Sequence, residues 1–444
     1  MDSDLSTRAL LKLLADLAVH LSMSSSSAQL EVGIVGAGIA GLSAAIALSR
    51  AGHAVELYEK SRFRNETGAA IVIGPNGTRV LSRWGFDFDE AGALDYSQMR
   101  RIRADTLEVD SEEYFTDIKQ KYGDRWLLFH RADLHMGLKK LVEGQEPQPK
   151  INLGTAVRDV DVDGGIITLA SGEQVKKDLV IIADGAHSEL ISKIIGRPCP
   201  VTKSPMSMYR FLQPFDKVLA HPEAGQFYKG QPSGFTTFYK TEVGRPGLLI
   251  NTYPCRSGEL LYVALVHPTK SGEKELDGWD SPADYQDVIS DAKAFHPAVQ
   301  AICEEATEVK VYTQMWRDPI ERFSRGKAVL IGDAGHLMLA THGQGASMAL
   351  EDALALETLF KSIASKSDVE ARVQLVDELR RPRVSAVQTM SNKMMGPPDR
   401  MISEVKRYYD GPIPGHQAKT FSKEYNDFFF LYDIEEEARK MLSA

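Results

Sequence analysis

Residues 32–41 read Val-Gly-Ile-Val-Gly-Ala-Gly-Ile-Ala-Gly. Val32, Ile34 and Val35 make a short apolar strand, and Leu42, Ala45, Ile46 and Leu48 then recur at helical spacing. Between them, Gly36-Ala37-Gly38-Ile39-Ala40-Gly41 is a GxGxxG that follows a strand and opens a helix. In that setting the first glycine permits a tight turn and the second lets backbone approach a pyrophosphate. The third lets the helix pack against the strand. The unpaired N–H groups and positive dipole end of the helix favour an anion there. A second strand, Ala54-Val55-Glu56-Leu57-Tyr58, ends at Glu59, eighteen residues after Gly41. An acidic side chain in that place accepts from ribose hydroxyls and repels a 2′-phosphate, so the adenosine belongs to FAD or NAD. The competing reading is a glycine-rich turn followed by a surface glutamate.

Val32 to Ser49 carries no charge over 18 residues, the threshold length for a membrane span. Its four glycines and its change from strand to helix pattern fit a soluble strand–turn–helix better. Upstream, Leu10, Leu13, Leu14, Leu17 and Leu21 form a short helical stripe. Asp2 and Asp4 precede it and Asp16 interrupts it, which is unlike a signal peptide. Residues 1–27 are therefore expected to be an appendage, dispensable for chemistry, joined through Ser24–Ser27.

The 444 residues are 43% hydrophobic and 25% charged, enough apolar content for a sizeable core. With 61 acidic against 52 basic residues the net charge is −9, and no basic patch suggests nucleic acid. Cys199, Cys255 and Cys303 lie far apart, so neither a disulfide framework nor a zinc site is expected, and a reducing, cytoplasmic setting is. The histidine spacings give no metal site.

Two later segments favour FAD over NAD. Val329-Leu330-Ile331-Gly332-Asp333 is an apolar run closed by Gly-Asp, and Gly343-Gln344-Gly345 then opens a helix with one apolar face. A strand ending in an acid can hold ribityl hydroxyls, and a glycine-rich helix start can approach a flavin ring and stabilise its reduced, anionic form. Leu179 to Ile182, followed by Ala183-Asp184-Gly185, is another buried strand ending in Asp-Gly. It follows a hairpin turning at Asp163-Gly164-Gly165.

Together these motifs resemble the single-component FAD-dependent aromatic hydroxylases of the salicylate hydroxylase and para-hydroxybenzoate hydroxylase type. Gly332-Asp333-Ala334-Gly335-His336, Phe129-His130-Arg131-Ala132-Asp133-Leu134 and Pro75-Asn76-Gly77 look most like the salicylate-hydroxylase-like branch. The resemblance runs from about Leu30 over roughly nine-tenths of the chain. It implies an α/β fold: a Rossmann-like FAD-binding domain of the GR2 type, with an inserted β-sheet substrate domain and C-terminal helices. The expected division is 28–200 and 306–370 for the FAD-binding domain, 201–305 for the substrate domain and 371–444 for the helical region.

The resemblance also implies roles. Gly36, Gly38 and Gly41 would hold the pyrophosphate and Glu59 the ribose, with Arg131 along the adenine–pyrophosphate side. The Gly68–Ala70 backbone would approach the flavin, Asp184 would lie in the cofactor cleft, Asp333 would hold the ribityl region, and Gly345 and Ala346 would face the ring. FAD would be bound non-covalently. Only one GxGxxG lies between a strand and a helix, so NADPH or NADH would visit transiently, with O2 as the other co-substrate. The implied activity is monooxygenation of an electron-rich aromatic small molecule through a flavin C4a-hydroperoxide, by hydroxylation or epoxidation. A flavin oxidase or desaturase, or a non-catalytic FAD-binding protein, shares the same motifs. Whether the chain is a monomer or a dimer is left open.

The chain departs from the family pattern in three places. Ser188-Glu189-Leu190-Ile191 lacks the usual arginine, Leu337 and Ala340 stand where prolines are usual, and Tyr262 replaces a frequent asparagine. Residues 201–265 hold ten aromatics, about twice the share set by the chain's 8%, so a sheet over one flavin face is expected there. Tyr209-Arg210 resembles the family's Tyr-Arg pair. Arg210 and Tyr253 are the expected catalytic residues, one stabilising a phenolate or carboxylate and the other bonding the substrate oxygen. A surface ion pair is the competing reading for Arg210.

Overall fold

The computed structural model of the chain describes residues 27–62, 69–242, 245–273, 281–394 and 396–443. Strand β1 (Glu31–Val35) forms as its apolar run requires, and it lies parallel to β2 (Ala54–Glu59) and β3 (Leu179–Ile182). Between β1 and β2 the chain turns through the glycines into helix α1 (Ile39–Arg50), which is buried from Gly41 to Ser49. The full sheet has six strands in the order Ser324–Arg325, Ala328–Leu330, β3, β1, β2, Lys150–Leu153. All neighbours are parallel except the Ser324–Arg325 edge. The open ends of parallel strands are where such sheets bind ligands, and the Gly-Asp, Asp-Gly and Glu59 signals all sit at that end.

The second sheet is larger than the expected substrate segment. It contains β4 (Thr202–Pro214), β5 (Gly234–Glu242), β6 (Arg245–Cys255), β7 (Leu260–Pro268) and β8 (Thr307–Trp316). The order is Ser281–Pro282, β8, β4, β7, β6, β5, Gln98–Arg103, Val109–Tyr114. The sheet therefore does not keep to 201–305. It takes two strands from residues 98–114 and one from 307–316, because Gly234–Tyr239 pairs in parallel with Gln98–Arg103 and Thr202–Leu212 pairs with β8.

Side chains alternate across this sheet, and the two faces enter two different cores. Met208, Tyr253, Tyr262, Ala264 and Val266 join the large core around β1, α1 and β3. Tyr209, Phe211, Phe238, Ile250, Val263 and Leu265 face the other way and pack with Val288, Ala292 and Ile302. Helix α2 (Gly345–Phe360) packs on α1, and α3 (Val369–Lys393) packs on α2. The expected last helix from Ser422 is two, Lys423–Phe430 and Ile434–Ser443. Asp433 divides them, its Oδ1 accepting from the amides of Glu435 and Glu436 at 3.0 and 3.1 Å as an N-cap. No helix among the described residues is long and apolar enough to cross a membrane. The expected appendage lies outside the described residues as far as Ser26.

Candidate active site

The three glycines of the turn answer to three different constraints. Gly36 has φ +96°, and a Cβ there would stand 2.4 Å from the carbonyl oxygen of Ala183 at the end of β3. A Cβ on Gly41 would stand 2.0 Å from the Gly36 carbonyl oxygen. A Cβ on Gly38 meets no atom within 4 Å. Gly36 and Gly41 are thus required by the protein's own packing, whereas Gly38 borders open space. The Ala37 and Ser61 amides donate to Glu59 Oε2 and Oε1 at 2.8 and 2.7 Å, which places the Glu59 carboxylate beside the turn. His135 Nε2 bonds the Ala37 carbonyl oxygen at 2.8 Å, so its proton sits on that nitrogen. The sequence reading set His135 aside. Its partner is a backbone atom far away in the chain, and no spacing signals that.

The acids gather where the parallel strands end. Asp184 Oδ1 is buried with no hydrogen-bond partner among the described residues, and burial holds its carboxyl above the ordinary range. Asp333 starts a short helix after Ala328–Leu330, and its Oδ1 lies 4.0 Å from where a Cβ on Gly345 would be. Burial raises its carboxyl as well, against the opposing pull of His336, Arg131 and Arg317. Gly345 and Ala346 form the first turn of α2, so its positive end points at the same place. Arg131 opens the helix Arg131–Glu143, and its amide donates to the Ala69 carbonyl at 2.9 Å. Ala70 begins the neighbouring strand Ala70–Ile73, while Gly68 lies outside the described residues.

Two features were not legible in the sequence. Arg317 is 3% exposed and reaches the Ser188 segment, where the sequence lacks the usual arginine. Its Nε donates to the Cys199 carbonyl at 3.1 Å, and its terminal nitrogens to the Ser188 and Asp333 carbonyls at 3.4 Å. Below α2 lies a buried charge network. Arg380 donates to Glu351 Oε2 at 2.7 Å and Asp352 Oδ1 at 2.8 Å, and Asp352 Oδ2 receives the Gly332 amide at 3.0 Å. His336 Nε2 meets that same oxygen at 2.7 Å, and Asn76 Nδ2 bonds Glu351 Oε1 at 2.7 Å. Burial alone would raise the Asp352 carboxyl, yet His336, Arg380 and the Gly332 amide bring it down to about 2.

The face of the large sheet turned toward the core around β1, α1 and β3 carries Arg210 on β4, Tyr253 on β6 and Tyr262 on β7. Tyr253 and Tyr262 pair across the ladder, with ring centroids 4.8 Å apart, and Phe235 stacks on Tyr253 at 5.2 Å. The Arg210 guanidinium lies 4.4 Å over the Tyr312 ring, and its Nε donates to Met208 Sδ at 2.9 Å. Arg210 forms no ion pair among the described residues, where a surface ion pair was the competing reading. Burial pushes the Tyr253 phenol well above its ordinary pKa, and it stays a neutral donor at pH 7. Tyr209 faces the opposite core and is fixed there by Lys270 Nζ at 2.8 Å and by stacking on His267 at 4.2 Å. Among the described residues no cluster of three or more His, Cys, Asp or Glu could hold a metal.

The open space over Gly38, the unpartnered Asp184 oxygen and the α2 N-terminus beside Asp333 fit an extended anionic dinucleotide with a ring at one end. Residues 29–391 match the family model described as FAD binding domain. Hispidin-3-hydroxylase of Neonothopanus nambi is 30% identical over 431 residues, covering 95% of this chain and 98% of that protein. FAD-dependent monooxygenase cfoG of Aspergillus candidus is 32% identical over 423 residues, covering 93% and 95%. Among solved structures, CtdE in complex with FAD and a substrate superposes with TM-score 0.75 at 21% identity, covering 94% of this chain and 98% of that one. A salicylate hydroxylase substrate complex does so with TM-score 0.71 at 22% identity, covering 93% and 97%, and both establish the fold. A chain that matches the FAD binding domain over most of its length, and whose relatives are flavin monooxygenases along nearly their whole length, belongs to that family: it is an FAD-dependent monooxygenase.

Proposed function

We propose that the protein hydroxylates a phenol-type aromatic small molecule, with FAD held in the cleft and NADH or NADPH and O2 as transient co-substrates. The observation that carries this reading is Arg210, a permanent cation with no carboxylate partner among the described residues, on the same sheet face as Tyr253 and Tyr262. A guanidinium holds an oxyanion from a fixed fork of donors. A phenolate stabilised there keeps its electron density at the ring carbon to be attacked. Tyr253 donates to the same substrate oxygen, or relays its proton.

When bound, FAD supplies the electron transfer and oxygen activation that no side chain provides. The chain's own part is to hold and shield. Gly36–Gly41 cradles the pyrophosphate, Glu59 accepts from the ribose hydroxyls, and Arg131 lies along the adenine–pyrophosphate side. Asp184 and Asp333 receive polar groups of the cofactor's central chain, while Ala70, Gly345 and Ala346 bring backbone to the ring. The α2 N-terminus stabilises negative charge developed there. Phe235, Tyr253 and Tyr262 close the other side against water. Relatives named 6-hydroxynicotinate 3-monooxygenase and hispidin-3-hydroxylase support an aromatic substrate.

The test is to incubate the FAD-loaded protein with a panel of phenols and indoles, adding NADH or NADPH. Substrate-dependent nicotinamide oxidation with a product one oxygen atom heavier supports the proposal. Oxidised product without added oxygen, or nicotinamide oxidation that no aromatic compound stimulates, overturns it.

A further inference from the structure

Behind Tyr253, on the face of the large sheet turned away from the cofactor cleft, lies a pocket of about 280 Å³. Its polar lining includes Arg100, Gln98 and Gln231, and its apolar lining includes Leu94, Phe215 and Leu219. Strand alternation separates it from the active site. Thr236 and Pro254 point into this pocket, whereas their neighbours Phe235 and Tyr253 stack on the flavin side.

Arg100 is the unusual group. It is 7% exposed, and its Nη2 is spent on neutral acceptors, the Phe227 carbonyl and Thr236 Oγ1. Its Nε is buried with no partner, and the residue makes no ion pair among the described residues. Glu112 stands opposite Arg100 in the ladder, but it is exposed and receives Gln98 Nε2 at 2.8 Å. Burying a charge is costly unless a counter-charge and hydrogen bonds compensate it. Burial accordingly pulls the Arg100 pKa below its ordinary value. A largely buried guanidinium that lines an apolar hollow and makes no ion pair among the described residues can receive a carboxylate there. The volume is slightly below that of sites for drug-sized ligands, roughly 300–1,000 Å³, so the occupant is small.

We propose that this pocket is a second ligand site, for a small carboxylic acid with a compact apolar body. The carboxylate pairs with Arg100 and the body lies against Leu94, Phe215 and Leu219. The site is independent of the hydroxylation reading, because it shares no lining residue with the cofactor cleft.

The probe is cyclohexanecarboxylate, titrated calorimetrically into the FAD-loaded protein while the flavin spectrum is recorded. One equivalent should bind without perturbing the flavin, and acetate, which lacks the body, should bind more weakly. Arg100→Gln should weaken binding by about tenfold or more, the scale of one lost hydrogen bond to a charged group. Arg210→Ala should leave this binding unchanged. Leu219→Trp fills the hollow without touching the charge, so it should also block the probe and decides the matter if Arg100→Gln fails to fold. Any of four results overturns the proposal: no binding at millimolar concentration, binding retained in Arg100→Gln or Leu219→Trp, binding lost in Arg210→Ala, or acetate and inorganic phosphate binding as well as the probe.

Discussion

The glycine turn at residues 36–41 and the sheet face bearing Arg210 and Tyr253 border one hydrophobic core, but the chain specifies them by different means. The turn is contiguous. Its constraints are backbone constraints, a positive φ at Gly36 and a backbone contact at Gly41, and only glycine satisfies them. The sheet face is assembled from β4, β6 and β7, and its chemistry depends on which side chains alternation sends to the same side. A binding cradle made of backbone is written in a short string of residues. A reactive surface made of side chains is written in strand register, which no short string contains.

The sharpest way to break the comparison is within the turn itself. Gly36→Val should lose both FAD and stability, because the side chain collides with the Ala183 carbonyl and the residue must hold φ +96°. Gly38→Val should lose FAD while the thermal midpoint of the apoprotein stays near the parent's, since a Cβ there meets nothing of the protein. Flavin release on denaturation and calorimetry of the apoproteins measure the two effects. Equal destabilisation by both substitutions would mean that Gly38 serves packing and borders no cofactor.

Next in size is the buried network below α2. Gly332 abuts Ala40 of α1, and its amide is held by Asp352, whose partner is Arg380. Removing one partner of a buried ion pair costs roughly 3–5 kcal/mol, so Arg380→Met should lower stability by about that amount in denaturant titrations. The pH dependence should change as well. Asp352 is held at about 2, below its unfolded value, so its contribution is full at pH above roughly 4 and is lost as pH falls toward 2. Without Arg380 the carboxyl moves up, and the loss begins at higher pH. An unchanged acid limb in Arg380→Met would show that His336 and the Gly332 amide hold Asp352 charged by themselves.

How much was legible follows the same division. The parallel sheet, the turn, Glu59, Asp184, Asp333 and the helix start at Gly345 are each marked by a local pattern, and the structure brings them to one end of the sheet. The extent of the large sheet was not legible. Gln-Met-Arg-Arg-Ile-Arg at 98–103 has no apolar alternation, and it becomes a strand because β5 and Val109–Tyr114 pair with it on either side. Arg317 escaped notice for a similar reason. It reaches the Ser188 segment across the fold, where the sequence showed only a gap in a motif. Asn76 was visible as a motif member, but its hydrogen bond to Glu351 was not.

On the sheet face, Arg210→Ala should leave FAD content near the parent's and reduce product formation by about a hundredfold, the scale of one lost electrostatic donor. Product per nicotinamide oxidised is the informative readout. It should fall with the rate, because the cofactor is still reduced while substrate is no longer held as the phenolate. Loss of FAD in this variant would move Arg210 from the reactive face into the fold. It would also remove the contrast with the turn.

Tyr253→Phe should have the smallest effect and the most specific signature. The ring packs between Phe235 and Tyr262, and phenylalanine preserves that packing, so stability and FAD content should hold. Only the hydroxyl is removed, and burial keeps it protonated throughout the neutral range. Losing one neutral hydrogen bond is worth about 0.5–1.5 kcal/mol, which is roughly a two- to tenfold fall in turnover. The pH profile separates two roles for the group. If Tyr253 only donates to the substrate oxygen, the rate should fall by the same factor at every pH. If it also relays the phenol proton, the deficit should shrink as pH rises and the substrate ionises in solution before it binds. A variant with parental rate at every pH would assign Tyr253 to packing alone and leave the substrate oxygen to Arg210.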